Sequence, residues 1–147
     1  MIVIRGQVSM LKPLLNNDFD LYGIVKPGFG TSVLSKSAKG VIEQISYNDL
    51  IIISSGTNDY ELNGFSSTFQ NIKNYLKNTT HINIILLNIP DRHDLPNSSA
   101  VNKTISLLNR KFYKLVKTFP HVRFLESLNE GICSPIMACI GTYKVKI

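Results

Sequence analysis

Long apolar runs are missing from this sequence. No stretch approaches the ~20 consecutive apolar residues of a membrane-crossing helix, so a membrane is not expected among its partners. The apolar start Met1-Ile2-Val3-Ile4 meets Arg5 at once, too early for the core of a signal peptide. Cysteine is scarce: Cys133 and Cys139 are the only two. Their spacing fits no common zinc pattern and no Cys or His stands near them, so no metal site is expected. Two free thiols suit a reducing compartment, and the default compartment is cytoplasmic. The sequons at Asn78, Asn97 and Asn102 would matter only in a secreted protein. No G-x-G-x-x-G occurs, and no internal repeat or low-complexity tract is visible. Acidic residues are outnumbered, 10 against 16 basic, which gives a net charge of +6. Such a surplus attracts polyanions weakly. Blocks of basic residues are absent, however, so a solvated basic surface is the plainer reading.

What is present is a chain of 147 residues, enough for one domain and too short for two. Short apolar runs alternate with longer segments of helical period. The runs are Leu21 to Val25, Leu50 to Ile53, Ile82 to Leu87 and Val122 to Leu125, with Ile2 to Ile4 a remnant of one more. Runs this rich in β-branched residues suit strands buried on both faces, as in a parallel sheet. Between them, residues 31–46 place Leu34, Ala38, Val41, Ile42 and Ile45 on one helical face, with Gly40 a weak spot. Residues 66–78 do the same with Phe69, Ile72, Tyr75 and Leu76. The strongest pattern is 98–118, where Val101, Ile105, Leu108, Phe112, Leu115 and Phe119 recur every three or four residues. Asn97 or Ser98 can cap its start. Residues 8–16 allow a short helix, in which Pro13 must lie in the first turn or bend it.

Strand and helix in alternation predict an α/β, three-layer αβα, flavodoxin-like fold. Its parallel sheet would have about five strands in the order 2-1-3-4-5. Ligands in such folds bind beyond the C-terminal ends of the strands. The loops 26–31, 54–65 and 88–97 therefore matter most, and the last two should be neighbours.

The most specific motif is Ser55-Gly56-Thr57-Asn58-Asp59, directly after a buried strand. Gly, Asn and Asp also suit a plain turn. Lys26-Pro27-Gly28-Phe29-Gly30-Thr31 follows an earlier strand. Gly23 and Gly28 have phosphate-loop spacing, but Phe29 stands where that loop needs Lys, so nucleotide binding is excluded. The third motif is Ile89-Pro90-Asp91-Arg92-His93-Asp94-Leu95-Pro96. An Asp–His pair can act as a general base, although a loop His among Asp and Arg is more often a solvated residue.

Gly-x-Asn-Asp after a buried strand resembles the third block of SGNH (GDSL-type) hydrolases. The resemblance spans about residues 20 to 125 and is specific only at Asn58 and its flanks. It implies ester hydrolysis through a Ser acyl-enzyme on a small ester substrate, with no cofactor. It also implies that Asn58 donates to the oxyanion and that Gly28, with Gly30 in reserve, adds a backbone N–H. The Pro-x-Arg-x-Asp-Leu pattern at 90–95 looks like one subgroup of such domains.

Two family blocks have no recognisable counterpart. Gly-Asp-Ser is absent; Gly6-Gln7-Val8-Ser9 occupies its region, with Ser9 one place late. Asp-x-x-His is absent too: no Asp follows Asp94 and no His follows His121. A chain that matches in the middle and diverges at both ends reads as a truncated or rearranged product. The expectation is one domain over 1–147 with little or no activity. A working esterase using Ser9 and His93 in displaced positions is the alternative. Residues 126–147, interrupted by Gly131, Pro135 and Gly141, are expected to form a poorly packed tail. Without a covering helix there, part of one sheet face would be wet, or covered by a protein partner. A third reading is a non-catalytic polyanion- or partner-binding module, because Lys103, Arg110, Lys114 and Lys117 share one stripe of the helix 98–118. The lack of interleaved aromatics and of known motifs counts against nucleic acid.

Overall fold

The computed structural model describes residues 30–45, 49–56, 58–60 and 65–126. Within them the order is α1 (Thr31–Ile42), β1 (Leu50–Ile53), α2 (Phe65–Asn78), β2 (Asn83–Leu87), α3 (Ala100–Val116) and β3 (Val122–Leu125). The apolar runs become the strands and the helical periods become the helices. The first helix is shorter than its pattern: α1 ends at Ile42, followed by a turn in which Ile45 N–H donates to Ile42 O. Ile45 still packs on the core, so the apolar period outlasts the helix itself. Ser99 caps α3, its hydroxyl accepting from Asn102 N–H, one residue beyond the expected cap.

The sheet is parallel in the order β1-β2-β3, with Ile51 beside Ile84 and Ile84 beside Val122. This is a mixed α/β architecture with a three-stranded parallel sheet, and the expected five-strand order 2-1-3-4-5 reaches beyond the described residues. Ile2 to Ile4, the run ending at Val25, residues 8–16 and the tail from 127 lie outside the described residues.

The described helices lie on one face of the sheet. Each strand lies next to its predecessor on the same side, and right-handed crossovers then put the connecting helices on one sheet face. Accordingly α1 packs on α2, and α2 on α3. Ile51, Ile84, Leu86 and Val122 point into this helical layer. They meet Ala38, Ile42, Phe65, Ile72, Leu76, Ile105, Leu108, Phe112 and Val116 in one core. Phe69 stacks on Phe112 with ring centroids 5.7 Å apart. On the opposite face Ile52 and Ile85 are both 0% exposed and Leu87 is buried, while on β3 Arg123 is exposed and Leu125 half-buried. A strand buried on both faces is what a continuous run of Ile requires.

Candidate functional site

Both loops of interest leave the same edge of the sheet, because β1 and β2 are parallel neighbours. The first loop turns at Gly56, whose φ is +118°. A Cβ there would lie 2.5 Å from Ile89 Cδ1 and 3.4 Å from Thr68 Cγ2, so only glycine fits, on two counts. The contact with Ile89 shows that the loops after β1 and β2 touch.

Asn58 and Asp59 follow Gly56 at this edge. Asp59 is buried. Its Oδ1 accepts from Thr31 N–H at 2.9 Å, and its Oδ2 accepts from the Thr31 hydroxyl. Thr31 is the first residue of α1, and its N–H has no intrahelical partner. The carboxylate therefore caps a helix 28 residues away in sequence and sits at its positive end. With that proton committed to Asp59, the Thr31 hydroxyl oxygen can accept from the Ser55 hydroxyl, 3.4 Å away. This set of bonds brings the end of the segment 26–31 to the Asn58 loop. Gly30 is buried immediately before Thr31. Gly28 and Ser9 lie outside the described residues.

The loop after β2 is held from α3. Asn109 brackets Ile89: its Oδ1 accepts from Ile89 N–H at 2.9 Å and its Nδ2 donates to Ile89 O at 2.8 Å. Its amide thus stands in for a neighbouring strand where the ladder stops. Asn102, about two helical turns earlier, accepts from Arg92 N–H at 2.8 Å. It also donates to the carbonyls of Arg92, Leu95 and Pro96. The Asn102 sequon is therefore sealed in the fold, since its amide is buried and committed to four backbone groups.

His93 rides on this loop, exposed. The anticipated Asp–His pair does not form with Asp94. Arg92 takes that carboxylate instead, through Nε at 2.9 Å and Nη2 at 2.7 Å. The Arg92 hydrogen bonds hold the Asp94 carboxyl below its usual range. A guanidinium fork matches two carboxylate oxygens better than an imidazole can. His121 precedes β3 and its carbonyl accepts from Ile84 N–H, which puts it at the opposite edge. A four-residue strand, roughly 13 Å, separates it from the level of the Asn58 loop.

Sequence reading picked out Asn58 but missed the anchors. Asp59 looked like one more turn residue. Asn102 and Asn109 looked like the polar margin of an amphipathic helix. Their seven-residue spacing along the edge of the apolar stripe was the one available signal. Among the described residues, no cluster of three His, Cys, Asp or Glu side chains could hold a metal. Among them, too, no helix is long and apolar enough to cross a membrane. No family model, curated protein or solved structure matches this chain.

Proposed function

We propose that this chain is an SGNH hydrolase-like domain derived from an ester hydrolase, with little or no turnover of its own. The observation that carries the reading is the position of Asn58. It lies in a Gly-x-Asn-Asp turn, directly after a buried strand, at the ligand-binding edge of a parallel sheet. The neighbouring Asp59 fixes that turn from within the protein.

In the ancestral reaction, a serine oxygen attacks the ester carbonyl, the carbonyl oxygen takes up the electron pair, and the alcohol leaves. Water then releases the acid. The Asn58 amide and the Gly28 N–H would stabilise the oxyanion in both steps. A fixed donor of this kind is worth about 10²–10³ in rate. The sequence offers no recognisable Asp-x-x-His block to take the serine proton. His93 is exposed and its neighbouring carboxylate is bound to Arg92, which favours the impaired reading over an esterase built on Ser9 and His93.

Two measurements test this. Turnover of p-nitrophenyl acetate should stay near the buffer rate. A rate well above it that vanishes in Ser9→Ala would replace this reading with the active one. Acetate, the product-like anion, should shift the Asn58 side-chain amide resonances and leave those of exposed Asn97 in place. An unmoved Asn58 would sink the oxyanion assignment.

A further inference from the structure

The outer face of α3 is the most one-sided surface among the described residues. From Ala100 to Lys117 the helix and its cap carry Lys103, Arg110, Lys111, Lys114 and Lys117, and no Asp or Glu. All five cations are exposed. Lys103, Arg110, Lys114 and Lys117 form one row opposite the buried stripe of Ile105, Leu108, Phe112 and Val116. At 1.5 Å per residue the row is about 21 Å long, and neighbours three or four residues apart stand about 5–6 Å from each other. Among the described residues, none of the five has an ion-pair partner.

The same face carries apolar surface that a merely solvated helix does not need. Leu107, within the row, is 57% exposed, and Tyr113, on its shoulder, is 48% exposed. Lys117 Nζ lies 4.2 Å from the centre of the Tyr113 ring, and Phe124 meets that ring edge-on at 6.1 Å. Phe124 thus braces the ring from β3 while its cation stays at the surface. A lack of interleaved aromatics counted against nucleic acid, yet Phe112 and Tyr113 stand between Lys111 and Lys114, and the fold buries Phe112 while it leaves Tyr113 at the surface beside Lys117.

We infer that this face of α3 binds single-stranded nucleic acid, the cation row along the phosphates and Tyr113 with Leu107 against unpaired bases. A duplex presents phosphates but keeps its bases stacked, so it would use the lysines and leave the apolar pair idle. The surface lies on the outer side of α3 and is independent of Asn58 and of any ester chemistry.

The test is fluorescence anisotropy of a labelled oligothymidylate titrated with the full chain at several salt concentrations. Binding should weaken with a log–log slope of about −3, from about −0.7 per phosphate for four cations. Replacing Lys103, Arg110, Lys114 and Lys117 together by Gln should cost at least about tenfold at low salt and flatten the slope. Replacing Lys36 and Lys39, exposed on α1, should change the slope little. Tyr113→Ala should weaken binding by about fivefold or more, and Tyr113→Phe should restore it. Circular dichroism melting of each variant separates lost binding from lost fold. The inference is overturned if the oligonucleotide fails to bind at low salt. It is equally overturned if the α1 and α3 replacements act alike, or if a duplex of equal length binds as tightly with the same indifference to Tyr113.

Discussion

The loop after β1 is fastened by one buried carboxylate, and the loop after β2 by two neutral amides. Asp59 reaches a helix that precedes its own strand, so it joins the Asn58 turn to an earlier part of the chain. Asn102 and Asn109 reach back from the helix that follows, so the second loop is held by its own crossover unit. A carboxylate offers only acceptors and suits the bare N–H groups at the start of a helix. An amide offers both signs and suits a strand end, where an N–H and a carbonyl are left over together. The anchor chemistry thus follows from which backbone groups each loop must satisfy.

The largest effect should come from Asn102→Leu. It takes the acceptor from the Arg92 N–H and a donor from three carbonyls, of which those of Arg92 and Pro96 keep backbone N–H partners, and should cost about 3 kcal/mol in urea unfolding, with an unchanged m-value. A loss under about 1 kcal/mol would mean that water replaces the amide there. Gly56→Ala should cost nearly as much, about 2–3 kcal/mol, from its positive φ and the collision with Ile89. Ile89→Val in the same chain should recover part of that loss, because it removes the Cδ1 that the new methyl meets. Strict additivity would show that the two loops do not press on each other. Asp59→Asn keeps one acceptor for Thr31 and should cost about 1–2 kcal/mol. Its amide exchange should quicken at the start of α1 but not around Ile89, and quickening at both would erase the contrast between the anchors.

The smallest effect belongs to Arg92 and Asp94. Arg92→Ala should let the Asp94 carboxyl titrate at higher pH, readable by NMR. A carboxyl held low favours the folded state above its unfolded pKa and loses that contribution as pH falls through the folded value. At so exposed a pair the solvent screens the gain. Acid unfolding curves of the protein and of Asp94→Asn should therefore coincide, and separated curves would show that the pair steadies the His93 turn.

The strands and helices were readable because burial imposes its period on the sequence: Leu50 to Ile53 has no polar face to show, and 98–118 shows one every turn. Even there, the helical period ran past Ile42, since Ile45 packs on the core from a turn as well as a helix would. Part of the candidate site was readable too, because Gly56 must be glycine and Asn58 follows it. The anchors were not. The Asp59–Thr31 bond joins residues 28 apart and the Asn109–Ile89 bonds residues 20 apart. Nothing local distinguishes an Asn that grips a distant backbone from one that faces water. The pairing of Arg92 with Asp94 was hidden for another reason: the four ionisable neighbours Asp91, Arg92, His93 and Asp94 allow several pairings, and only geometry chooses.

The strand order has a consequence for how the chain comes into being. Each strand in β1-β2-β3 pairs with the one made just before it, and each crossover helix lands on the sheet already begun. During synthesis, at about 5–20 residues per second, β2 would emerge to find β1 and α2 in place, and β3 to find β2 and α3. None of these three strands has to wait for a partner encoded far downstream. While they assemble, the growing edge is the newest of the three, and the unpaired N–H and carbonyl groups of β1 and β2 on that side stay open only until the next crossover is complete.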